Sequence, residues 1–277
     1  MDQRLLTIQD ISCIGQCSLT VALPVISACG IETAVLPSSV LSNHTAFPSW
    51  TFNDLTPDME NILAKWKELN VDFSAFYTGY VSQEQIPVIK KIMNETGRKG
   101  ALKIVDPVMA DNGKMYAGFA PDFPEKMAEL CNGADVILPN MTEASFLLGV
   151  EYPGENYSKD YVEKMVRDLH KLGAKNVVLT GVSFEKGKLG VAVYTGDTDS
   201  VEYYFTDRLP ISCHGTGDVY ASSFAGSLCR GKTLIEAARI AHEYVCESIR
   251  KTIDDKEDHW YGVKFEKAIP FLVSQLS

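Results

Sequence analysis

The chain has 277 residues, a formal net charge of -10 at pH 7, 45% hydrophobic and 22% charged residues, which suits one large α/β domain spanning residues 1–277 and is too short for two full domains with a linker. The acidic balance, with no Lys/Arg cluster interleaved with aromatics, argues against a nucleic-acid partner, and no apolar stretch approaches the ~20 residues of a membrane span. The cysteines (Cys13, Cys17, Cys29, Cys131, Cys213, Cys229, Cys246) form no CxxC pair and no signal-like apolar segment follows Met1, so a zinc site, a disulfide framework and a secreted location are all disfavoured, and a reducing cytoplasmic compartment is expected.

Along the chain, Leu5–Ile8 reads as a strand, Leu19–Ala28 as a helix and Thr33–Leu36 as a strand. Met59–Glu68 reads as a helix, Phe73–Tyr77 as a strand, Gln85–Glu95 as a helix, and Leu102–Val105 and Val136–Leu138 as strands. Tyr161–Leu172 carries helical spacing, Val177–Thr180 and Leu189–Tyr194 read as strands, and Val219–Leu228 and Leu234–Arg250 as helices. Glu151–Lys159 and Asp254–Tyr261 read as surface connections, and Gly181–Leu189 as a hairpin turn, its glycines and lysines lacking the spacing of a phosphate-binding P-loop. Alternating strands and helices of this kind build a mostly parallel, doubly wound sheet between helical layers.

In such sheets ligands bind beyond the carboxyl ends of the strands. The residues expected there are Gln9-Asp10, Thr78-Gly79-Tyr80, Asp106-Pro107-Val108, Pro139-Asn140 and Thr180-Gly181. Polar or flexible residues thus recur along one edge of the expected sheet.

The strongest local signal is Gly215-Thr216-Gly217-Asp218 at the head of a small-residue helix. Glycine lets the backbone approach a ligand closely, and N–H groups at a helix start suit a phosphoryl group, so Gly215, Thr216 and Gly217 are candidates for an anion hole. Asp218 is the candidate base for an attacking hydroxyl. Taken alone, GTGD also fits a plain helix cap.

GTGD late in a series of βα units resembles the ribokinase-like superfamily. Ser42-Asn43-His44-Thr45, Thr78-Gly79-Tyr80, Asp106-Pro107-Val108-Met109-Ala110-Asp111 and Pro139-Asn140-Met141-Thr142-Glu143 follow the order seen in pyridoxal kinases. The resemblance runs from Thr7-Ile8-Gln9 to the helix around Val245, and the double-glycine motif and extra lid strands of the sugar kinases are not evident. It implies a three-layer α/β/α fold without a large lid, and ATP-dependent phosphorylation of the 5′-hydroxymethyl group of a vitamin B6 compound. By residue, it implies that Asp106, Asp111 and Glu143 organise magnesium, that Asp106, Asn140 and Thr180 serve the ATP phosphates, and that Asn43, His44, Thr45 and Tyr80 contact or enclose the pyridine ring. His44 also reads as a structural histidine holding its own loop. Potassium activation and a homodimer are implied by the family alone.

The chain departs from the pattern at several positions. Asp10 stands where many pyridoxal kinases have a serine facing the pyridine nitrogen, and a carboxylate there favours a protonated ring. Ala110 replaces the usual glycine of DPVMGD, Leu138 a frequent threonine, and Ala46 the glycine after SNHT. Hydroxymethylpyrimidine kinase is the nearest alternative, although its usual residue after HGTG is cysteine where this chain has Asp218. A B6-binding protein without turnover is the alternative from another class. Cys213 and His214 as nucleophile and base lack an assigned carboxylate partner.

Overall fold

The computed structural model describes residues 3–116 and 118–277. Nine strands form the main sheet in the order β11-β10-β9-β8-β5-β4-β1-β2-β3. They are β1 Arg4–Ser12, β2 Glu32–Leu41, β3 Phe52–Asp54, β4 Phe73–Thr78, β5 Gly97–Val105, β8 Val136–Ile137, β9 Asn176–Val182, β10 Lys188–Thr195 and β11 Ser200–Asp207. From β2 through β1, β4, β5 and β8 to β9 the pairing is parallel. The edges are antiparallel: β3 on β2, β10 on β9 and β11 on β10. Two further short strands, β6 Ala110–Asp111 and β7 Lys114–Met115, make a separate hairpin.

Period-two side-chain alternation assigns each strand to both helical layers. Leu6, Phe76, Val105, Ile137 and Leu179 point to one face, under α2 Thr56–Glu68, α3 Ile86–Thr96, α4 Phe123–Cys131, α5 Met141–Leu148 and α6 Lys159–Lys171. Leu5, Tyr77, Ile104, Val136 and Val178 point to the other, under α1 Leu19–Ala28, α7 Thr216–Cys229, α8 Leu234–Thr252 and α9 Ile269–Gln275. This is the expected α/β/α sandwich. Nothing resembling a large lid is present among the described residues, where β3 and the β6/β7 hairpin are the short antiparallel additions.

Two expectations about strand ends are corrected. Gln9 and Asp10 do not follow β1 but lie inside it, because pairing with β2 resumes at Ile11 and Ser12 after a register shift. Thr180 and Gly181 likewise lie within β9, which is prolonged by its hairpin with β10. The turn expected at 181–189 is that hairpin.

The helix α7 deserves its small residues. Ala221, Ser222, Ser223, Ala225 and Gly226 are buried, and a Cβ on Gly226 would come within 2.5 Å of Sγ of Cys29, the C-cap of the neighbouring α1. Close helix–helix and helix–sheet approach therefore fixes where the N-terminus of α7 points. Ser223 Oγ and the buried Phe224 complete the seating, the former donating to the Val219 carbonyl at 2.7 Å.

Candidate active site

The carboxyl ends of β1, β4, β5, β8 and β9 and the start of α7 bring the expected residues to one edge of the sheet. Gly215 is the N-cap of α7 with φ 74°, in the left-handed region where glycine carries no steric cost. A Cβ there would also fall 1.6 Å from the Gln16 carbonyl oxygen, so no other residue fits this turn. Glycine offers no capping side chain, and the first intrahelical bond runs from Val219 N–H to the Gly215 carbonyl at 3.0 Å. The N–H groups of Thr216, Gly217 and Asp218 find no acceptor among the described residues, and the space beside Gly217 is open. An uncapped helix end of this sort is chemically suited to an anion. Thr216 turns its hydroxyl back to the Cys213 carbonyl at 3.3 Å.

Asp218 lies in the first turn of α7, half-buried in surface yet enclosed on most sides. Burial pushes its carboxyl from 3.8 up to about 7, reinforced by the charge of Asp10 and opposed by the Ser18 backbone N–H. A proton acceptor that titrates near neutrality is suited to general-base work. Asp10 is 5% exposed and accepts from Ser12 Oγ at 2.9 Å. Burial raises its carboxyl, while Ser18, Ser12 and His44 pull it down.

Asp106 is buried at the end of β5, its N–H bonded to the Thr78 carbonyl at 3.0 Å. Burial, Glu143 and Asp218 hold its carboxyl well above the ordinary range. Glu143 is raised in the same sense, first by burial. Its two oxygens are already used: Oε1 accepts from Met109 N–H at 3.1 Å and Oε2 from Asn140 N–H at 2.9 Å. Asn140 completes a capping box on α5, its Oδ1 accepting from Thr142 and Glu143 N–H while its Nδ2 donates to the Ala110 carbonyl at 2.9 Å. Asn140 and Glu143 therefore clamp the 106–111 segment to the start of α5. Asp111 is exposed in the β6/β7 hairpin and wraps Asn112, accepting from its N–H at 2.8 Å and its Nδ2 at 2.9 Å. Thr180 bridges to Asn140 and donates from its N–H to the Pro139 carbonyl at 2.9 Å.

At the opposite end, Asn43 donates from Nδ2 to the Ser49 carbonyl at 2.9 Å and accepts from Ser42 Oγ at 2.8 Å, so it braces its own loop. His44 is 7% exposed, with Nδ1 accepting from Ala46 N–H at 3.2 Å and Nε2 2.8 Å from the Tyr261 carbonyl. Both nitrogens are engaged in holding structure. Thr45 is exposed beside it. Tyr80 packs its ring 5.3 Å from Phe119, and burial together with the Asp10 charge raises its phenol.

Sequence reasoning missed the strip 15–18, although Gly15 and the small polar residues after β1 mark a turn there. Ser18 N–H reaches Asp218, and Gln16 packs against Gly215. It also missed Tyr116, whose phenol is raised by burial and by the charges of Glu143, Asp111, Asp106 and Asp218. Cys213 is raised by burial, the opposite of an activated nucleophile.

The phosphomethylpyrimidine kinase family matches residues 35–261. The fold superposes on the pyridoxal kinase of Lactobacillus plantarum with a TM-score of 0.89 at 31% identity, covering 98% of this chain and 97% of that one. It superposes on a Bacteroides thetaiotaomicron protein, named for phosphomethylpyrimidine kinase and crystallised with pyridoxal, with a TM-score of 0.93 at 34% identity, covering 98% and 96%. The Dictyostelium discoideum pyridoxal kinase is 27% identical over 98% of this chain and 96% of its own length. With a family match over most of its length and relatives above 30% identity end to end, this chain belongs to the phosphomethylpyrimidine kinase family.

Proposed function

We propose that the chain transfers the γ-phosphoryl group of ATP to the 5′-hydroxymethyl group of pyridoxal, pyridoxamine or pyridoxine, a step of vitamin B6 salvage. The observation that carries this reading is Asp218 set in the first turn of an uncapped helix whose leading N–H groups find no acceptor among the described residues. In the mechanism we infer, Asp218 takes the proton of the 5′-hydroxyl as that oxygen attacks the γ-phosphorus and the bond from that phosphorus to the bridging oxygen breaks, releasing ADP. The N–H groups of Thr216, Gly217 and Asp218 then receive the charge on the transferring group. Asp10 faces the ring nitrogen, and Thr45 and Tyr80 flank the ring. Asp106, Asn140 and Thr180 attend the ATP phosphates.

The donor set also fits magnesium carried in with the nucleotide. Asp106, Glu143 and Asp218 crowd negative charge into one buried region, and none of the three pairs with a Lys or Arg among the described residues. An ion delivered with ATP would take its remaining ligands from phosphate oxygens and water. Asp106 would hold the ion directly, and Asp111 and Glu143 would act through water, since Glu143 spends its oxygens on Met109 and Asn140. Bound there, magnesium would offset charge on the phosphates. Residues 1–277 as one domain, a homodimer, potassium activation and a cytoplasmic location belong to the same proposal; no helix among the described residues is long and apolar enough to cross a membrane.

The thiamine-type alternative draws on the family name. Against it stand Asp218, where those relatives usually have cysteine, and the Bacteroides relative crystallised with pyridoxal. Turnover of ATP with magnesium against the B6 vitamers and hydroxymethylpyrimidine, with Asp218→Asn as control, tests the proposal. B6 phosphorylation lost in the variant is expected. Turnover of the pyrimidine alone would move the assignment to thiamine synthesis, and no turnover at all would favour a binding protein.

A further inference from the structure

The segment 259–262, which takes no part in the mechanism above, lies across the loop that carries Asn43 and Thr45, and His44 is the peg between them. Ala46 N–H donates to His44 Nδ1 at 3.2 Å, so the ring proton sits on Nε2 and is donated to the Tyr261 carbonyl at 2.8 Å. Gln16 N–H reaches the same carbonyl at 3.4 Å. The peg fits because residue 15 is glycine: a Cβ there would lie 2.1 Å from His44 Cδ2. Around this pin the aromatic rings close. Phe47 lies 4.8 Å from His44 and 4.6 Å from Trp260, and Trp260 meets His44 edge-on at 6.2 Å. On its inner side His44 faces His214, the residue before the anion hole, at 5.4 Å.

Trp260 is 44% exposed, so it is not core filler. Its ring partners are Phe47, His44 and Tyr261, all in the strap or the loop it covers. A large aromatic kept half in water, with its other half committed to one loop, spends its contact energy on that loop's conformation.

We propose that Trp260, acting through Phe47 and His44, is a positioning residue for the acceptor end of the site. It holds the 42–51 loop in the shape that receives a flat heteroaromatic ring, and so sets affinity for the acceptor and leaves ATP unaffected. The inference rests on the reading that the acceptor ring packs against Asn43–Thr45 and Tyr80.

The chemistry of the side chain separates this role from general support. Trp260→Ala removes the ring over Phe47 but leaves both backbone pins at Tyr261 O, so the peg stays in place while the loop loses its cover. The expected result is an acceptor KM raised about fivefold to twentyfold, from the loss of one aromatic pair and the freed loop. ATP KM and kcat should stay within about twofold, Trp260→Phe should restore the acceptor KM, and Phe47→Leu should reproduce the Ala phenotype. Steady-state kinetics of the full chain, run with whichever acceptor the wild type turns over, give the answer. Which acceptor that is tests the function proposed above, and the ratio of acceptor to ATP effects tests the role of Trp260. An acceptor KM unchanged in both variants, or ATP KM rising in step with it, overturns the inference.

Discussion

Replacing Asp218 with asparagine should remove activity and stabilise the protein at the same time. Burial lifts this carboxyl from 3.8 to about 7, so the folded state binds its proton roughly a thousand times more tightly than the unfolded chain. At about 1.4 kcal/mol per tenfold, the ceiling is about 4 kcal/mol. The sign follows from the raised value: stability from this group is fully present below 3.8 and is lost as pH rises through about 7. Above that, the folded protein carries a desolvated carboxylate that asparagine does not. Roughly 2.5 kcal/mol of the ceiling falls between pH 5 and pH 8, and the partial exposure of Asp218 reduces the expected gain to about 1–2 kcal/mol. Urea denaturation of wild type and Asp218→Asn at both pH values reads the gain directly, as a difference that widens from pH 5 to pH 8. Turnover in the same variant should fall by about 10²–10⁴, the usual worth of a general base. A variant less stable than wild type at pH 8, or a difference that is the same at both pH values, would refute the reasoning.

Three other substitutions follow from the same geometry. Gly215→Ala meets both a positive φ and the Gln16 carbonyl, so it should cost more than about 1 kcal/mol by thermal denaturation and depress kcat; a fully active, equally stable variant would contradict the turn described here. Asp10→Asn should weaken vitamer binding most where the pyridine is protonated, flattening the pH dependence of the vitamer KM, and an unaltered profile would remove Asp10 from the ring nitrogen. His242 is 8% exposed, with Nε2 2.8 Å from Thr206 Oγ1, and burial lowers it to about 4. A histidine buried neutral must charge in acid, so wild type should lose up to about 3 kcal/mol as pH falls from 6.5 through 4. His242→Gln should show a shallower decline in urea titrations; parallel curves would mean that His242 does not contribute.

The sheet was legible because its strands are short apolar runs flanked by helices with clear periodicity. Where the strands reach the site the signal fades: Gln9 and Asp10 are polar yet buried inside β1, Gln9 paired with Pro37 and Asp10 at the register shift, because a strand end that lines a cleft need not be apolar. The strands β3, β6 and β7 are too short to carry a period. Helix α5 was not read from the sequence: Asn140-x-x-Glu143 is its capping box, but those residues read there only as phosphate and metal groups. The same side chains suit either reading, and only the folded geometry shows that Asn140 and Glu143 use their polar atoms to clamp the 106–111 segment. His44 is the parallel case at the other end: its residue type fits ring recognition, and its partners across 217 positions of chain make it a loop peg. Contacts of that span leave no trace in local sequence.

The bare N-terminus of α7 has one further consequence. A helix whose cap residue is glycine, with three first-turn N–H groups that find no acceptor among the described residues, is a helix left unfinished by its own sequence. In the mechanism proposed above, the missing cap would arrive with the reacting phosphoryl group. On that proposal the first turn, which carries Asp218, is most firmly set during the reaction itself, and order at residues 215–218 becomes a property of the occupied cleft and not of the chain alone.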